Sequence, residues 1–423
     1  MMTDTRTQRW ICCQLGAREH YSVPRALLAN GSLKQMVTDV WSRPGPLSKL
    51  LPCGLARVHQ RFHPEIPAER VTSFNLQALA QELRWRFRQP TEWDQIMARN
   101  DWFQDRAIFQ LERLQRELSR FDDGGSPVVF SYSYAARKLF EFAKDHGWRT
   151  VLGQIDPGPV EERLVAAEHR RRSDLQTHWS PAPPPYWDMW RRECELADHI
   201  VVNSAWSRAA LVEENIAPEK IEIIPLAYNA PPESVGFQLS VPHRFTRGRP
   251  LRVLFLGQIV LRKGVAAILD AARCLEGQPV EFLMVGSLGL SPTAVDRDRC
   301  NVRWCGSVTR ERVHEYYRSS DVFLFPTLSD GFGLTQLEAQ AWHLPSIASK
   351  NCAQVITPGV NGIVLGEVSG ADVAAAVRQI LDEPGKLADY ARNTFLSERY
   401  SLETVARQFA ALDSDPLPLR QSA

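Results

Sequence analysis

Residues 321–362 read DVFLFPTLSDGFGLTQLEAQAWHLPSIASKNCAQVITPGVNG. The apolar run Val322 to Phe325 predicts a buried parallel strand, and the loop after it, Pro326 to Gly333, is rich in turn formers. Gly331 and Gly333 allow backbone conformations and close approaches that a side chain forbids, and Thr335 to Trp342 is helix-compatible. Strand, glycine loop and helix start together present backbone N–H groups to an anion at the carboxyl end of the strand. Asp330 and Glu338 frame this loop with seven residues between them. Carboxylates repel phosphate but accept hydrogen bonds from hydroxyls, so a ligand carrying both phosphates and hydroxyls, a nucleotide sugar, suits the pair.

The segment SDGFGLTQLEAQA resembles the Glu-x7-Glu signature of retaining GT-B glycosyltransferases, glycosyltransferase family 4 or glycosyl transferases group 1. The match runs through Gly331, Phe332, Gly333, Leu334, Leu337, Glu338 and Ala339. Asp330 stands where the family usually has Glu. The segment RRECELADHIVVNSAWSRAALVEENIAPEKIEIIPLAYN, residues 191–229, resembles a second block of the same family and closes a first domain. The resemblance implies an α/β GT-B fold: two Rossmann-like domains facing across a cleft. It places an acceptor-binding domain at 1–240, a nucleotide-sugar donor domain at 250–395, and a returning helix with a polar tail at 396–423. Residues 230–250, with Pro, Gly and little periodicity, read as the linker.

Strands are also predicted at 10–15, 128–132, 150–154, 199–203, 221–225, 251–256, 280–285 and 302–304, many running into glycine or polar loops. The loop after Leu256 runs Gly257, Gln258, Ile259 to Gly264. By resemblance its basic side chains, here Arg262 and Lys263, hold the donor diphosphate, while Gln258 takes the place of an early Arg. The turn Gly306, Ser307, Val308 then abuts the nucleotide base, Glu338 binds ribose hydroxyls and Asp330 holds the transferred sugar. Gly16, Arg18 and His20 after the first strand are candidates for the acceptor side of the cleft. Asp156, where family members often carry a His, either accepts the acceptor's proton or caps the next helix. Downstream, His343, Lys350, Asn351 and Gln354 replace residues customary in the family. The SPAPPP run at 180–185 is expected to be irregular.

At 423 residues and a net charge of +1, the chain has material for two or three cores and lacks the strong basicity of a dedicated nucleic-acid binder. The first 120 residues lean basic by about six charges, and RWRFR at 84–88 alternates basic and aromatic residues, patterns that suit an anionic acceptor or peripheral contact with a membrane as well as a solvated face. Eight cysteines without paired ligand spacing fit buried thiols in a reducing cytosol. No apolar run approaches the roughly 18 residues of a membrane span, so a cytoplasmic, at most peripheral, protein is expected. No metal or other cofactor is expected beyond the donor as co-substrate, and the DxD of Asp413 and Asp415 is assigned to a polar tail. Two other classes share these features: a nucleotide-sugar epimerase or hydrolase on the same fold, and a binding protein that has lost catalysis. Base, sugar, acceptor and oligomeric state are not legible.

Overall fold

The computed structural model describes residues 9–43, 61–88, 91–118, 126–175, 179–291 and 301–414. Asp415, and the side chains of residues 86–88 in RWRFR, lie outside the described residues. Two parallel sheets organise the chain. The first contains β1 (Trp10–Gln14), β2 (Leu33–Thr38), β3 (Val71–Ser73), β4 (Val128–Tyr132), β5 (Arg149–Gln154), β6 (His199–Val202) and β7 (Ile221–Ile223) in the order β3-β2-β1-β4-β5-β6-β7. The second contains β8 (Leu251–Leu256), β9 (Val280–Val285), β10 (Val302–Gly306), β11 (Val322–Phe325), β12 (Ser346–Ala348) and β13 (Gly362–Val364) in the order β10-β9-β8-β11-β12-β13.

Strands such as β4 and β11 are buried along their whole length because helices cover both faces of each sheet. Strand order reverses between β1 and β4 in one sheet and between β8 and β11 in the other. Crevices open at the carboxyl ends of such reversal points, since the crossovers on either side run to opposite faces. The loops after β8 and β11 carry Arg262, Lys263 and Asp330, so the pairing of those strands, Val322 with Val253 and Phe323 with Leu254, brings the donor candidates together.

Helix Leu402–Ser414 returns to the first sheet, where Val405, Ala406, Phe409 and Leu412 share a core with Trp10, Leu27 and Phe130. A smaller core spans both halves, joining Leu226 to Phe332, Leu337 and Tyr400. Segment 230–250 is strapped to the second half: the Phe237 ring meets Trp342 edge-on at 5.4 Å, and Phe245 is buried in the core beneath β8.

One expectation is corrected outright. Pro184 and Pro185 of SPAPPP begin the helix Pro184–Leu196, because the first helical positions need no N–H and favour the proline φ. The strands β2, β3, β12 and β13 escape sequence periodicity: β2 carries Lys34 and Gln35 inside it, and the other three are three residues long. Among the described residues the cysteines are free thiols, and burial pushes Cys13 up to about 12.

Candidate functional site

Two glycines zip the loops of the second half together. Gly264 has φ +74°, and a Cβ there would sit 1.7 Å from the Pro326 carbonyl oxygen. Glycine is therefore required for the turn Leu261–Lys263 to lie against the end of β11. The Leu328 N–H and the Thr327 hydroxyl both donate to the Arg262 carbonyl, at 2.8 and 3.2 Å. This seam sets Lys263 in an ion pair with the Asp330 carboxylate. Arg262 Nη1 lies 3.8 Å from Asp330, 3.1 Å from the Ser329 carbonyl and 3.6 Å from Glu161 Oε1, which belongs to helix Pro159–Arg171 of the first half.

Gly331 sits where the halves meet. A Cβ on it would lie 2.4 Å from the Ile155 carbonyl oxygen, and its own carbonyl accepts from Ser204 Oγ at 2.6 Å. Gly333, at φ +86°, would place a Cβ 2.5 Å from the Phe325 ring. Phe332 and Leu334 between and after them pack into the shared core, and Asp330 is thereby held over the cleft floor rather than in solvent. Glu338, one helical turn on, accepts from Tyr317 Oη at 2.7 Å. Gly257 touches Gly286 and is followed by the exposed Gln258. Gly306 and Ser307 line a cavity of about 660 Å³ with Ser287, while Val308 packs partly against the core under β11.

Electrostatics divide these carboxyls. Burial pushes Asp330 up, but Lys263 and Arg262 outweigh it and hold the group below its ordinary value. Burial raises Glu338, against the pull of Tyr317 and Arg310. Glu161 is raised to about 7: burial dominates, Arg262 opposes it, and Asp156 and Asp330 add to it. Its Oε2 is buried with no hydrogen-bond partner among the described residues. For Arg262, burial disfavours the charge and Glu161, Asp330 and Asp156 more than restore it.

On the facing side, Gly16, Arg18 and Asp156 line a single cavity of about 580 Å³. Asp156 Oδ1 accepts from Tyr134 Oη at 2.6 Å and from the Gly158 N–H at 2.9 Å, the second bond securing the turn into helix Pro159–Arg171. His20 faces elsewhere. It lines a neighbouring cavity of about 380 Å³, with Arg310 Nη1 3.3 Å from its Nδ1. Burial, then Arg310, His63 and Arg25, lower His20 to about 4. The reason for the split is backbone: Glu19, His20 and Tyr21 all have positive φ, 51°, 53° and 61°, so the chain turns sharply between Arg18 and His20. The Glu19 carboxylate holds this turn by accepting from Tyr132 Oη at 3.0 Å and Asn203 Nδ2 at 3.3 Å.

Sequence reading did not find Glu161, Asp39, Arg61, Arg99, Tyr134 or Arg310. They reach the cleft from separate elements, and no local spacing marks them. Only the acidic start of the helix after Pro159 carried a usable hint for Glu161. The departures downstream have structural consequences. His343 occupies a left-handed position, φ 51°, which accounts for the glycine customary there, and its Nδ1 lies 2.7 Å from the Thr394 carbonyl. Asn351 braces the loop after β11 through Nδ2, which donates to the Leu328 carbonyl at 2.9 Å, and through its carbonyl, which accepts from the Asp330 N–H at 3.0 Å. No group of three or more potential metal ligands gathers among the described residues, and none of their helices is long and apolar enough to cross a membrane.

Residues 250–383 match the family model for glycosyl transferases group 1. The chain is similar to a D-inositol 3-phosphate glycosyltransferase 2 of Catenulispora acidiphila, 31% identical over 33% of this chain and 37% of that protein. It is also similar to a D-inositol 3-phosphate glycosyltransferase of Corynebacterium kroppenstedtii, 27% identical over 72% of this chain and 73% of that protein. Several other such relatives are matched over only about half of their length, 53% in Geodermatophilus obscurus. Among solved structures, Anabaena HepE in complex with UDP and glucose superposes with a TM-score of 0.60 at 14% identity, over 97% of this chain and all of that one. The two parallel sheets, their reversal points and this superposition agree: the chain has the GT-B fold, and residues 250–383 of its second domain are those that match the glycosyl transferases group 1 model.

Proposed function

We propose that this protein is a retaining glycosyltransferase of family 4, moving a sugar from a nucleoside-diphosphate sugar to a hydroxyl of an acceptor held by the first domain. The observation that carries this is the cluster at the β8/β11 reversal point. Two cations, Arg262 and Lys263, stand over a carboxylate, Asp330, and across the junction Arg262 lies 3.6 Å from Glu161 and close enough to Asp156 for that carboxylate to favour its charge. Cations fixed in a partly desolvated cleft stabilise charge that grows on a departing diphosphate oxygen, and they need no reorganisation during the reaction. Lys263 is already paired, so an arriving diphosphate exchanges one anionic partner for another, leaving Asp330 free to accept from sugar hydroxyls. Glu338 then takes the ribose hydroxyls.

In the reaction the anomeric carbon–phosphate oxygen bond breaks, the acceptor oxygen bonds to that carbon on the same face, and the acceptor proton passes to the departing diphosphate. The donor is a co-substrate, and no bound cofactor is required. A UDP donor is the first to test, since HepE binds UDP and glucose together. Thermal-shift screening with UDP-, GDP- and ADP-sugars, followed by turnover with hydroxyl acceptors, tests the reading. Stabilisation by one nucleotide class and acceptor-dependent release of the diphosphate are expected. Interconversion of donor sugars without acceptor would assign an epimerase instead.

Arg262 and Lys263 supply positive charge where a divalent cation otherwise serves. Turnover therefore survives excess EDTA, and a loss restored by Mg²⁺ or Mn²⁺ would overturn the metal-independent mechanism.

A further inference from the structure

Exposed large apolar side chains are scattered singly over the described residues, with one exception. Leu76, Leu79 and Leu83 of helix Asn75–Arg88 are 80, 51 and 48% exposed, whereas the others, Phe109 and Phe395 among them, each stand on a separate segment. Spaced three and four apart, the three leucines fall on one stripe of the helix at about 100° per residue. The opposite side holds the buried Trp85, so the helix attaches through that face and turns its apolar stripe outward. A helix folded onto a core does the reverse. Positions 84 and 86 flank the stripe on its two sides, and the helix carries Arg84, Arg86 and Arg88 against one acid, Glu82. The acids that follow, Glu92 and Asp94, open the next helix, Glu92–Leu118, where a first turn favours them.

From this stripe and its flanks we propose that helix Asn75–Arg88 docks the protein reversibly on an anionic lipid surface, with Leu76, Leu79 and Leu83 entering the acyl boundary and Arg84 among the headgroups. The surface goes beyond the glycosyl-transfer reading and does not depend on it. Three leucines of one helix offer well under the roughly 800 Å² per partner that a stable protein interface buries, so a second copy is a poor fit. A bilayer sets no such requirement, because binding there adds apolar insertion to attraction by anionic lipids, and arginine stems keep their charged heads in water. The helix begins at the carboxyl end of β3, the edge of the first sheet at which Gly16, Arg18 and Asp156 line their cavity. Asn75 fixes that start: its Nδ2 donates to the Trp41 carbonyl at 2.9 Å and its Oδ1 accepts from the Trp41 N–H at 2.8 Å.

The test sediments the full chain with phosphatidylcholine vesicles, with and without phosphatidylglycerol. Binding to the anionic vesicles is expected to be about 10-fold or more stronger than to phosphatidylcholine alone, and to weaken as salt rises from about 0.1 M to about 1 M. Leu79→Gln combined with Leu83→Gln should weaken it about 10-fold or more and Arg84→Gln about 5-fold. Phe395→Gln, at an exposed aromatic ring elsewhere, should leave it unchanged. Each variant is checked by melting; if the double variant melts below wild type, Leu76→Gln at the most exposed position replaces it, with a loss of about 3-fold or more expected. Absence of binding to anionic vesicles, equal binding to both vesicle types, or binding indifferent to the leucines or to salt overturns the proposal. A concentration-dependent dimer that the leucine substitutions dissolve, in place of vesicle binding, assigns the stripe to a second copy and overturns it as well.

Discussion

In the proposed reaction Lys263 acts on charge that grows as the sugar–phosphate bond breaks, whereas Glu338 would meet hydroxyls whose charge hardly changes. Lys263→Ala is therefore expected to lower kcat by about 10²- to 10³-fold, about 2.7 to 4 kcal/mol, and Glu338→Gln to raise the donor KM with little change in kcat. Asp330→Asn should reorder the ranking among donor sugars more than it alters affinity for free diphosphate. Steady-state kinetics with two donor sugars check all three, and wild-type turnover from a folded Lys263→Ala variant would remove the phosphate-binding role. Glu161 has a pH signature. Its folded-state pKa of about 7 lies above the ordinary 4.5, so between those values the folded protein keeps a proton that the unfolded chain releases. The resulting stability is complete below about 4.5 and is lost as pH rises through 7. Glu161→Gln should melt like wild type near pH 4.5 and at a higher temperature at pH 8; the same difference in Tm at both pH values would contradict the burial argument.

Two turns of one backbone class separate steric from torsional cost. Gly264 and Gly277 have φ of +74° and +81°, but a Cβ at 264 meets the Pro326 backbone at 1.7 Å while nothing lies within 4 Å of one at 277. Gly277→Ala should cost about 1 to 3 kcal/mol for its left-handed backbone. Gly264→Ala adds the forced separation of the two loops, so it should cost more and also weaken donor binding. Urea denaturation with UDP titration distinguishes them; equal costs and unchanged UDP affinity would mean that the seam between the loops is not tight.

Across the whole molecule, the returning helix Leu402–Ser414 completes the first domain. Val405, Phe409 and Leu412 cover Trp10 and Phe130, and burial of three such side chains stabilises by on the order of 5 kcal/mol. Asn30 Nδ2 and Arg149 Nη2 also donate to helix carbonyls, at 3.0 and 2.7 Å. A chain ending before residue 401 should therefore lose soluble expression or melt well below the full chain, and truncation without effect on melting would show that this helix is dispensable. The junction is further tied by Arg172 to Asp270 at 2.9 Å and by Trp206 Nε1 to Ser329 Oγ at 3.1 Å. Both reach across between the domains, the second at the loop after β11, so the geometry of that loop depends on the two halves together.

The sequence by itself determined the strands β1, β4 to β6, β8, β9 and β11 closely and the ends of β7 and β10 less so, because unbroken apolar runs ending in turn residues report burial on both faces of a sheet. It also singled out, through the resemblance of two loops to family motifs, Arg262, Lys263 and Asp330, which the fold brings together, and Glu338, which pairs instead with Tyr317. Short strands such as β12 escaped it, since their pairing is set by neighbours and not by their own pattern. Only the tertiary structure decided which residues share a cavity. Arg61 and Arg99 meet at Asp39 from positions 22 and 60 residues away. His20 leaves the Arg18 cavity through a local left-handed turn, and Glu161 reaches Arg262 from the other domain. Such meetings depend on where two sheets reverse and how closely two domains approach, quantities that no window of adjacent residues encodes.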